Sequence, residues 1–405
     1  MYLLFAWRYF RGKYAFQAIQ IIVWVSVFAI AIGTAALITI LSVSNGFTSV
    51  VKTLYADFYA DVRVTPKEGK YFTITDAQFS KLKSIQGVQA VSKVIENRAL
   101  LMKDGYQAVA LVKGVDTNYG RINQVSKYLK RGSYAIGDLD KPMLLMGIGI
   151  EQKLGLFQNE VGDTVQMYAV NRSGKVITQL GQLNSLSAQE AGSFSVQQEF
   201  DDQYVFTNTA FAQYLFDLQP NEISAIEFSV PMQEDKVVTA IQEILGPGFL
   251  VRNKYQQNID LYRIMQAEKW IIFCILALVM VVASFNLVGA LTMLVLEKQK
   301  DIHVLNAMGA TAWDVQKIFL MLSAVMALLG AFIGGGIASL FIWLQHKFHL
   351  IKLGGSSFII DYYPIEPMVI DYVAIMLLVV FIAILAGWIP SRKAAAKIYE
   401  GVGNQ

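Results

Sequence analysis

The sequence contains few of the residues that most enzymes use for chemistry. In 405 residues it has one cysteine, Cys274, and three histidines, His303, His346 and His349. A single cysteine cannot form a disulfide within the chain, and Cys274 lies in an apolar run, so we interpret it as a small buried residue. His346 and His349 have no cysteine near them and only scattered carboxylates, so we interpret them as residues at a helix end and expect no metal site.

Several catalytic motifs are also missing. The sequence has no G-x-x-x-x-G-K-[ST], and Gly174-Lys175-Val176 lacks the first glycine and the hydroxyl residue that bind phosphate and Mg²⁺. G-x-S-x-G, H-E-x-x-H and C-x-x-C are absent as well. We therefore expect a non-catalytic chain that binds no cofactor itself, and any energy for transport must come from a partner.

Charge is scarce, and its scarcity points to a membrane. Only 16% of the residues are charged while 55% are hydrophobic, against about 25% charged in an ordinary soluble domain. The net charge of +3 is too small to suggest nucleic acid as a partner.

The apolar residues are concentrated in four runs, at 19–43, 270–296, 318–344 and 372–391. Each is long enough to cross a bilayer core of about 30 Å as a helix, the structure that satisfies its own backbone hydrogen bonds in lipid. The first run is longer than a signal-peptide core and has no A-x-A site after it, which favours an uncleaved anchor. The runs contain no Asp, Glu, Lys, Arg or His, which argues against a proton- or ion-coupled carrier. The spacing of Gly330 and Gly334 favours close approach of another helix.

Basic residues near the runs predict the orientation. They fall in three groups, before the first run, between the second and third, and after the fourth: Arg8, Arg11 and Lys13; Lys298, Lys300 and Lys317; Arg392, Lys393 and Lys397. All three lie on one side if the N-terminus is cytoplasmic. The chain is then a multi-pass inner-membrane protein with both termini cytoplasmic and its main soluble domain, between the first two runs, outside.

Two segments of that domain resemble each other. Each has a strand pattern, a helical pattern, a glycine stop and a second strand, over 61–95 and 226–252. They predict a duplicated β-α-β unit. Between them, Asp104-Gly105 predicts a hairpin, and residues 171–195, rich in Gly, Ser, Gln and Asn, predict a surface excursion or long hairpin.

Several segments resemble one known family. Leu4-Phe-Ala-Trp-Arg8 and Ser42-Val-Ser-Asn45-Gly46-Phe47 are similar to the start of LolC/LolE lipoprotein-release permeases, and Leu111-Val-Lys-Gly114-Val115-Asp116 is similar to a motif of their outer domain. The stretch from Ala283-Ser-Phe-Asn286 to Met308-Gly309-Ala310 resembles the FtsX-like permease superfamily, as does Gly387-Trp-Ile-Pro390. These motifs, in this order, cover nearly the whole chain.

The resemblance implies an α-helical membrane protein with four transmembrane helices plus a large α/β periplasmic domain inserted between helices 1 and 2. It implies the permease subunit of an ABC transporter, which works with a separate ATPase subunit that binds ATP and Mg. Further implied partners are a second permease subunit, of the same or a related chain, a periplasmic lipoprotein carrier and the lipoprotein substrate. ATP-driven closure would be transmitted mechanically to the outer domain, and lipoproteins would leave the outer leaflet of the inner membrane.

The resemblance also suggests where these partners bind. The ATPase would contact a coupling helix through Glu297, Asp301, Leu305, Met308, Gly309, Ala310 and Asp314. Acyl chains would contact Ile40, Val43, Phe47, Met265 and Val282, which are equally consistent with ordinary lipid-facing or helix-packing positions. The carrier would bind a hook that includes Asn171, Lys175, Leu180 and Leu183.

The predicted organisation, from the N-terminus, is a cytoplasmic amphipathic segment (1–17), span 1 (18–45), the periplasmic domain (46–267), span 2 (268–296), the coupling helix (297–316), span 3 (317–345), a short periplasmic loop (346–368), span 4 (369–391) and a cytoplasmic tail (392–405). The periplasmic domain divides into porter-like units at about 58–115 and 222–256 and an inserted sabre- or hook-like region at about 116–221. Two other functions stay open at this stage: a MacB-like permease that exports drugs or peptides through a tripartite system, and an FtsX-like regulatory scaffold.

Overall fold

A computed structural model describes residues 2–11, 17–156, 161–170, 183–352 and 362–400. These residues form two compact units. The helical unit consists of the described residues within Met1–Val50, Arg263–Leu353 and Ile360–Gln405. The sheet unit consists of those within Val51–Tyr262. Each unit has an apolar core of its own.

The α-helices of the described residues are, in chain order, α1 (Tyr2–Arg11), α2 (Gln17–Phe58), α3 (Asp76–Lys83), α4 (Ile148–Lys153), α5 (Gln198–Asp201), α6 (Thr209–Leu215), α7 (Glu234–Leu245), α8 (Lys254–Gln257), α9 (Ile259–Glu297), α10 (Gln299–Ala307), α11 (Ala312–Phe348) and α12 (Val369–Glu400). The strands are β1 (Val62–Pro66), β2 (Phe72–Thr73), β3 (Ala90–Lys103), β4 (Tyr106–Val115), β5 (Leu129–Gly132), β6 (Met143–Gly147), β7 (Thr164–Val170), β8 (Leu183–Phe194), β9 (Tyr204–Asn208), β10 (Glu222–Ile223), β11 (Ala225–Ser229) and β12 (Phe249–Asn253).

Helices α2, α9, α11 and α12 are each long and apolar enough to cross a membrane. They contain the four predicted runs, so the prediction of four spans is confirmed. All four extend beyond the spans predicted from the sequence, since α9 begins at Ile259 and α11 covers Ala312–Phe348. The extensions of α2 and α12 are on their C-terminal sides. Helix α2 runs to Phe58 rather than ending near residue 45, and α12 continues through Pro390 to Glu400 instead of ending at 391.

Helical periodicity explains the extension of α2. Residues Val51, Leu54, Tyr55 and Phe58 recur at the spacing of one helix face. Tyr55 and Phe58 are buried, and the Phe58 ring stacks on Phe200 with 3.9 Å between centroids. Charged residues such as Lys52 end the charge-free run but do not end the helix, because they lie on its other faces.

Close packing within the helical unit depends on two glycines of α11. A Cβ added at Gly330 would lie 2.7 Å from the Ile30 side chain of α2. One added at Gly334 would lie 2.8 Å from Thr34 Cβ and closer still to the Ala31 carbonyl oxygen. The predicted close helix approach is therefore confirmed, and the helix that approaches is α2 of the same chain.

The two predicted β-α-β repeats, β1-α3-β3 and β11-α7-β12, form one side of the main sheet of the sheet unit. Their strands lie in the order β12-β1-β11-β3, and all neighbours are antiparallel. The second strand of each repeat thus pairs with the first strand of the other, the exchange typical of ferredoxin-like split β-α-β folds. Helices α3 and α7 follow Thr75 and Gln233, and Gly87 and Gly246 come after them with positive φ, as the glycine stops predicted.

Strand β3 and five further strands close into a ring, while β5 pairs with β8 at its edge and β2 and β10 form a separate two-stranded sheet. The pairings run from β3 to β4, β9, β6, β8 and β7, and β7 returns to β3. The predicted hairpin at Asp104-Gly105 joins β3 and β4, with Lys103 opposite Tyr106. Residues 183–194 form strand β8, which pairs antiparallel with β7. Of the two structures predicted over 171–195, the long hairpin is therefore confirmed for this part and the irregular surface excursion is wrong. The serines of this segment concealed a strand that also pairs with β5 and β6.

A buried ionic network lies in the sheet near the β-α-β repeats. The Lys113 ammonium contacts both carboxylate oxygens of Glu227, at 2.9 and 3.0 Å, and the Tyr119 hydroxyl donates to the same carboxylate at 2.7 Å. Arg63 lies 3.6 Å from Glu227 and donates to Glu96 at 3.1 Å. Burial alone would raise the pKa of Glu227, but the cations Lys113 and Arg63 hold it below its ordinary value.

Another buried group in the sheet unit places two carboxylates around one guanidinium. Arg131 donates to Glu190 at 2.6 Å and lies 3.1 Å from Glu151. Both glutamates are almost wholly buried. Burial raises the pKa of Glu190 to about 7, Arg131 opposes the rise, and Glu151 adds to it.

The raised pKa predicts that the sheet unit loses stability between weakly acidic and neutral pH. Glu190 binds a proton more tightly in the folded chain than the ordinary pKa of 4.5 allows. Its stabilising contribution is therefore complete below that pKa and is lost as the pH rises through about 7. The loss amounts to at most about 3.5 kcal/mol, since the pKa rises from 4.5 to about 7 and one pKa unit corresponds to about 1.4 kcal/mol.

Glu190→Gln keeps the shape of the protonated carboxyl and should remove this pH dependence. The measurement is the melting temperature of the full chain in detergent, compared with wild type from about pH 5 to about pH 8. Glu243→Gln, at an exposed carboxylate of α7, serves as the control and should follow wild type. Parallel pH curves for wild type and Glu190→Gln would contradict the prediction.

Candidate functional site

The segment between α9 and α11 is the candidate coupling site. Helix α9 ends at Glu297, and Lys298, which departs from helical dihedral angles, separates it from α10. Lys298 forms an ion pair with Asp301 at 3.3 Å, and Ile302 is fully buried. The sequence predicted one helix over 297–316; the structure instead has a short helix, a break and the first turn of α11.

The break is built from two capping motifs. Gly309 N–H donates to Asn306 at 2.9 Å and Ala310 N–H donates to Leu305 at 3.0 Å, the two bonds of a Schellman motif. Gly309 has a φ of 92°, which favours glycine. Thr311 and Asp314 then form a capping box that starts α11. Gly309, Ala310 and Asp314, predicted to bind the ATPase, thus have a capping role in this fold.

The amphipathic helix α1 packs against the start of α11. The Tyr2 hydroxyl donates to Asp314 at 2.5 Å, and Lys317 lies over the rings of Tyr2 and Trp313, 5.3 Å from each centroid. Further along α1, the Tyr9 ring lies 5.6 Å from the Lys298 ammonium. Helix α1 therefore contacts both ends of the coupling segment.

Apolar side chains project from this segment into the surroundings. Val304 is 59% exposed, Met308 79% and Trp313 53%. Val304 and Met308 are four residues apart and lie on the same side. Among the other predicted coupling residues, Glu297, Asp301 and Leu305 are half-buried. The sequence analysis missed Val304 and Trp313, although an apolar residue in a polar connector was a usable signal.

Helices α2 and α9 run antiparallel, and three contacts give their register. The Ser26 hydroxyl donates to the Asn286 carbonyl at 3.0 Å, a Cβ at Gly33 would lie 3.0 Å from the Met280 sulfur, and Lys269 donates to Asn45 at 3.0 Å. In each pair the residue numbers sum to nearly the same value, so the register is constant along the helices.

This register locates the predicted acyl-chain residues. Phe47 and Met265 lie at the same level and are half-buried, as is Val43. Ile40 is 42% exposed and Val282 is 61% exposed. Val282 is level with the region of Ala31, about 13 Å along the helices from Ile40 at 1.5 Å per residue. The structure therefore brings Val43, Phe47 and Met265 to one end and places Val282 elsewhere.

A polar cluster lies at that same end, and the sequence analysis missed it. The Asn45 amide donates to Asp371 at 2.6 Å, and Lys269 donates to Asn45 at 3.0 Å and to Asp371 at 3.2 Å. These residues come from α2, α9 and α12. Lys269 and Asp371 each directly precede an apolar run, but their pairing joins residues 102 positions apart, which no local pattern reveals.

Asn45 belongs to a part of α2 that packs on the segment before α12. A Cβ at Gly46 would lie 2.9 Å from Ile365 N and closer to the Pro364 carbonyl oxygen. The Phe47 and Tyr363 rings meet edge to face, with centroids 5.7 Å apart. Gly46 therefore serves close approach of two backbones and does not end the helix.

Of the predicted hook residues, Asn171, Lys175 and Leu180 lie outside the described residues. Leu183 is the first residue of β8, opposite Val170 at the end of β7. The strands on the two sides of residues 171–182 are thus paired at their ends. Elsewhere in the described part of the chain, no group of three or more His, Cys, Asp and Glu residues is placed to hold a metal ion.

Comparison with known proteins gives two family matches. The MacB-like periplasmic core domain matches residues 23–244, and the FtsX-like permease C-terminal region matches residues 273–397. Among solved structures, the periplasmic region of MacB from Actinobacillus actinomycetemcomitans is 12% identical, with a TM-score of 0.37, over 52% of this chain and 98% of that one.

Curated relatives match along nearly the whole chain. The lipoprotein-releasing system transmembrane protein LolC of Neisseria meningitidis serogroup B is 26% identical over 98% of this chain and 97% of its own length. LolE of the same type of system from Haemophilus influenzae is 24% identical over 96% of each chain. The short segments on which the family resemblance was based therefore lie inside alignments that cover nearly the whole of both chains.

Proposed function

Because the chain belongs to the MacB-like periplasmic core domain family and continues into an FtsX-like permease region, we propose that it is the permease subunit of an ABC transporter that releases lipoproteins. The observation that carries the proposal is the similarity to LolC and LolE over nearly the full length of both chains. The subunit would lie in the inner membrane with its termini in the cytoplasm and the sheet unit in the periplasm, and ATP would be hydrolysed by a partner.

The coupling site supports a cytoplasmic partner. Val304 and Met308 present exposed apolar side chains on one side of α10, and the Schellman motif at Gly309 fixes their position. A rigid, apolar, helical projection fits a groove on an ATPase subunit. Contacts of Tyr2 and Tyr9 with the segment would transmit its movement to α1.

The end of the helical unit with Val43, Phe47 and Met265 supports the membrane step. Acyl chains of a lipoprotein would enter between α2 and α9 at the level of these half-buried side chains. Movement driven by the ATPase would then be transmitted through the spans to the periplasmic domain, which passes the lipoprotein to a soluble carrier. A second permease subunit would complete the membrane part.

The experiment that tests the proposal is depletion of the protein in its native host, followed by separation of inner and outer membranes and immunoblotting of an outer-membrane lipoprotein. Retention of the lipoprotein in the inner membrane before viability falls is the expected result. Normal sorting would contradict the proposal and would favour export of drugs or peptides, the function suggested by the MacB-like match.

Met308→Asp is expected to weaken binding of the ATPase subunit by at least about tenfold, because burying a methionine side chain contributes about 1.5–3 kcal/mol and each 1.4 kcal/mol is tenfold. The measurement is the amount of ATPase that co-purifies with the tagged chain from native membranes. Met232→Asp is the matched control, since Met232 is 77% exposed in the sheet unit. Equal recovery from the two variants would rule out Met308 as a docking residue.

A further inference from the structure

The polar cluster of Asn45, Lys269 and Asp371 is built from groups of unequal burial. Asn45 is 4% exposed and Asp371 is 9% exposed, whereas the Lys269 side chain is 39% exposed. The bond between Asn45 and Asp371 is therefore shielded from water, while the ammonium can exchange its partners for water at little cost. Within this cluster, the bonds from Lys269 of α9 to Asn45 and Asp371 are therefore the ones that break most easily.

Further contacts on both sides of the bond between Asn45 and Asp371 hold α2 and the start of α12 together. Glu366 N–H donates to the Ser42 carbonyl at 3.0 Å, and Gly46 packs directly on the Pro364 backbone. These contacts involve backbone atoms and leave little room for relative movement. Helix α2 and the start of α12 thus form a fixed pair, to which Lys269 attaches α9.

Helix α9 is packed over only one of its halves. All of its buried residues lie from Met280 onward. In the most apolar stretch of α9, 17% of the residues are buried, against 61% in the corresponding stretch of α11. In the half that includes Lys269, Ile272, Phe273 and Leu276 are only half-buried against the core. Lys269 gives this half a polar attachment to α2 and α12 in addition to these partly buried apolar contacts.

We propose that Lys269 is a lock that holds the first half of α9 against α2 and α12, and that its release opens the space between α2 and α9. If Lys269 withdraws, Asp371 remains buried with only a neutral amide donor, so the open state stores the free energy of an unpaired carboxylate and favours reclosing. The inference rests on the proposed function, because it makes this opening the controlled step by which a lipid chain reaches Val43, Phe47 and Met265.

The test uses electron paramagnetic resonance on the full chain in nanodiscs. One nitroxide is attached to the native Cys274, which is exposed on the first half of α9, so the interpretation of this residue as buried was wrong. The other is attached to a cysteine introduced by Leu377→Cys on α12. Lys269→Met should lengthen and broaden the distance between the labels, by about 5 Å or more, the length of one helical turn. Asp371→Asn, which preserves shape, should give a smaller change in the same direction.

Two controls separate a lock from general loosening. With Cys274→Ser and Met293→Cys, the label moves to the packed half of α9, and its distance to residue 377 should not change in Lys269→Met. The exchange Lys269→Asp with Asp371→Lys should restore the short distance for the first pair. An unchanged distance in Lys269→Met, or an equal change for both pairs, would overturn the proposal.

This measurement is independent of any lipoprotein. If depletion leaves lipoprotein sorting normal while Lys269→Met opens α9, the lock stands and the assigned cargo is wrong. If depletion blocks sorting but the label distances stay the same, the proposed function stands and the lock is wrong.

Discussion

Gly334→Ala is expected to destabilise the helical unit by about 1–3 kcal/mol, the usual cost of overpacking a close-packed core. The new methyl group would lie 2.8 Å from Thr34 Cβ and closer still to the Ala31 carbonyl oxygen. The backbone of α2 cannot move aside as the tip of a flexible side chain can. Gly334→Val should enlarge the effect until little folded chain accumulates. The melting temperature in detergent and the yield of monodisperse protein are the measurements.

Gly336→Ala is the matched control because a Cβ at Gly336 has no atom within 4 Å. Alanine favours a helix over glycine by about 1 kcal/mol, so this variant should be neutral or slightly stabilising. The two substitutions add the same atom to the same helix two positions apart, and the prediction is that they differ in sign. A melting temperature for Gly334→Ala equal to or above that of Gly336→Ala would show that α2 and α11 are not packed this closely.

Much of the fold could be predicted from the sequence because its signals are local. A charge-free run of about 20 residues indicates a span whatever surrounds it. Each β-α-β repeat carries its own periodicity and its own glycine stop, at Gly87 and Gly246, so both were found correctly. The pairing of the repeats in the order β12-β1-β11-β3 depends on contacts between distant segments, which a single sequence does not reveal.

The candidate sites show the same limit. The sequence pointed to the Met308-Gly309-Ala310 segment, and the binding of the ATPase by Gly309 and Ala310 stays a prediction. Both residues serve the Schellman motif, while the exposed apolar groups are Val304, Met308 and Trp313. Similarly, Lys269 and Asp371 looked like ordinary charges flanking spans until the fold placed them 3.2 Å apart.

Lys113→Met is expected to cost about 3–5 kcal/mol of stability, the usual effect of breaking a buried ion pair by removal of one partner. Lys113 and Glu227 are 2% and 1% exposed, so the carboxylate would stay buried with less compensation from cations. Hydrogen exchange of amides in β4 and β11, measured on the full chain, should become about 100- to 4000-fold faster where it proceeds by opening of the sheet unit.

Lys103→Met is the control for Lys113→Met. It also removes a positive charge from the sheet unit, but the ion pair that it breaks is exposed rather than buried. Lys103 ends β3 and contacts Asp104 at 3.0 Å, but the Asp104 side chain is 75% exposed, so this pair should contribute no more than about 1 kcal/mol. Adding Glu227→Leu to Lys113→Met should recover part of the lost stability, because an apolar replacement removes the unpaired charge. If Lys113→Met and Lys103→Met accelerate exchange equally, the network does not hold the sheet together.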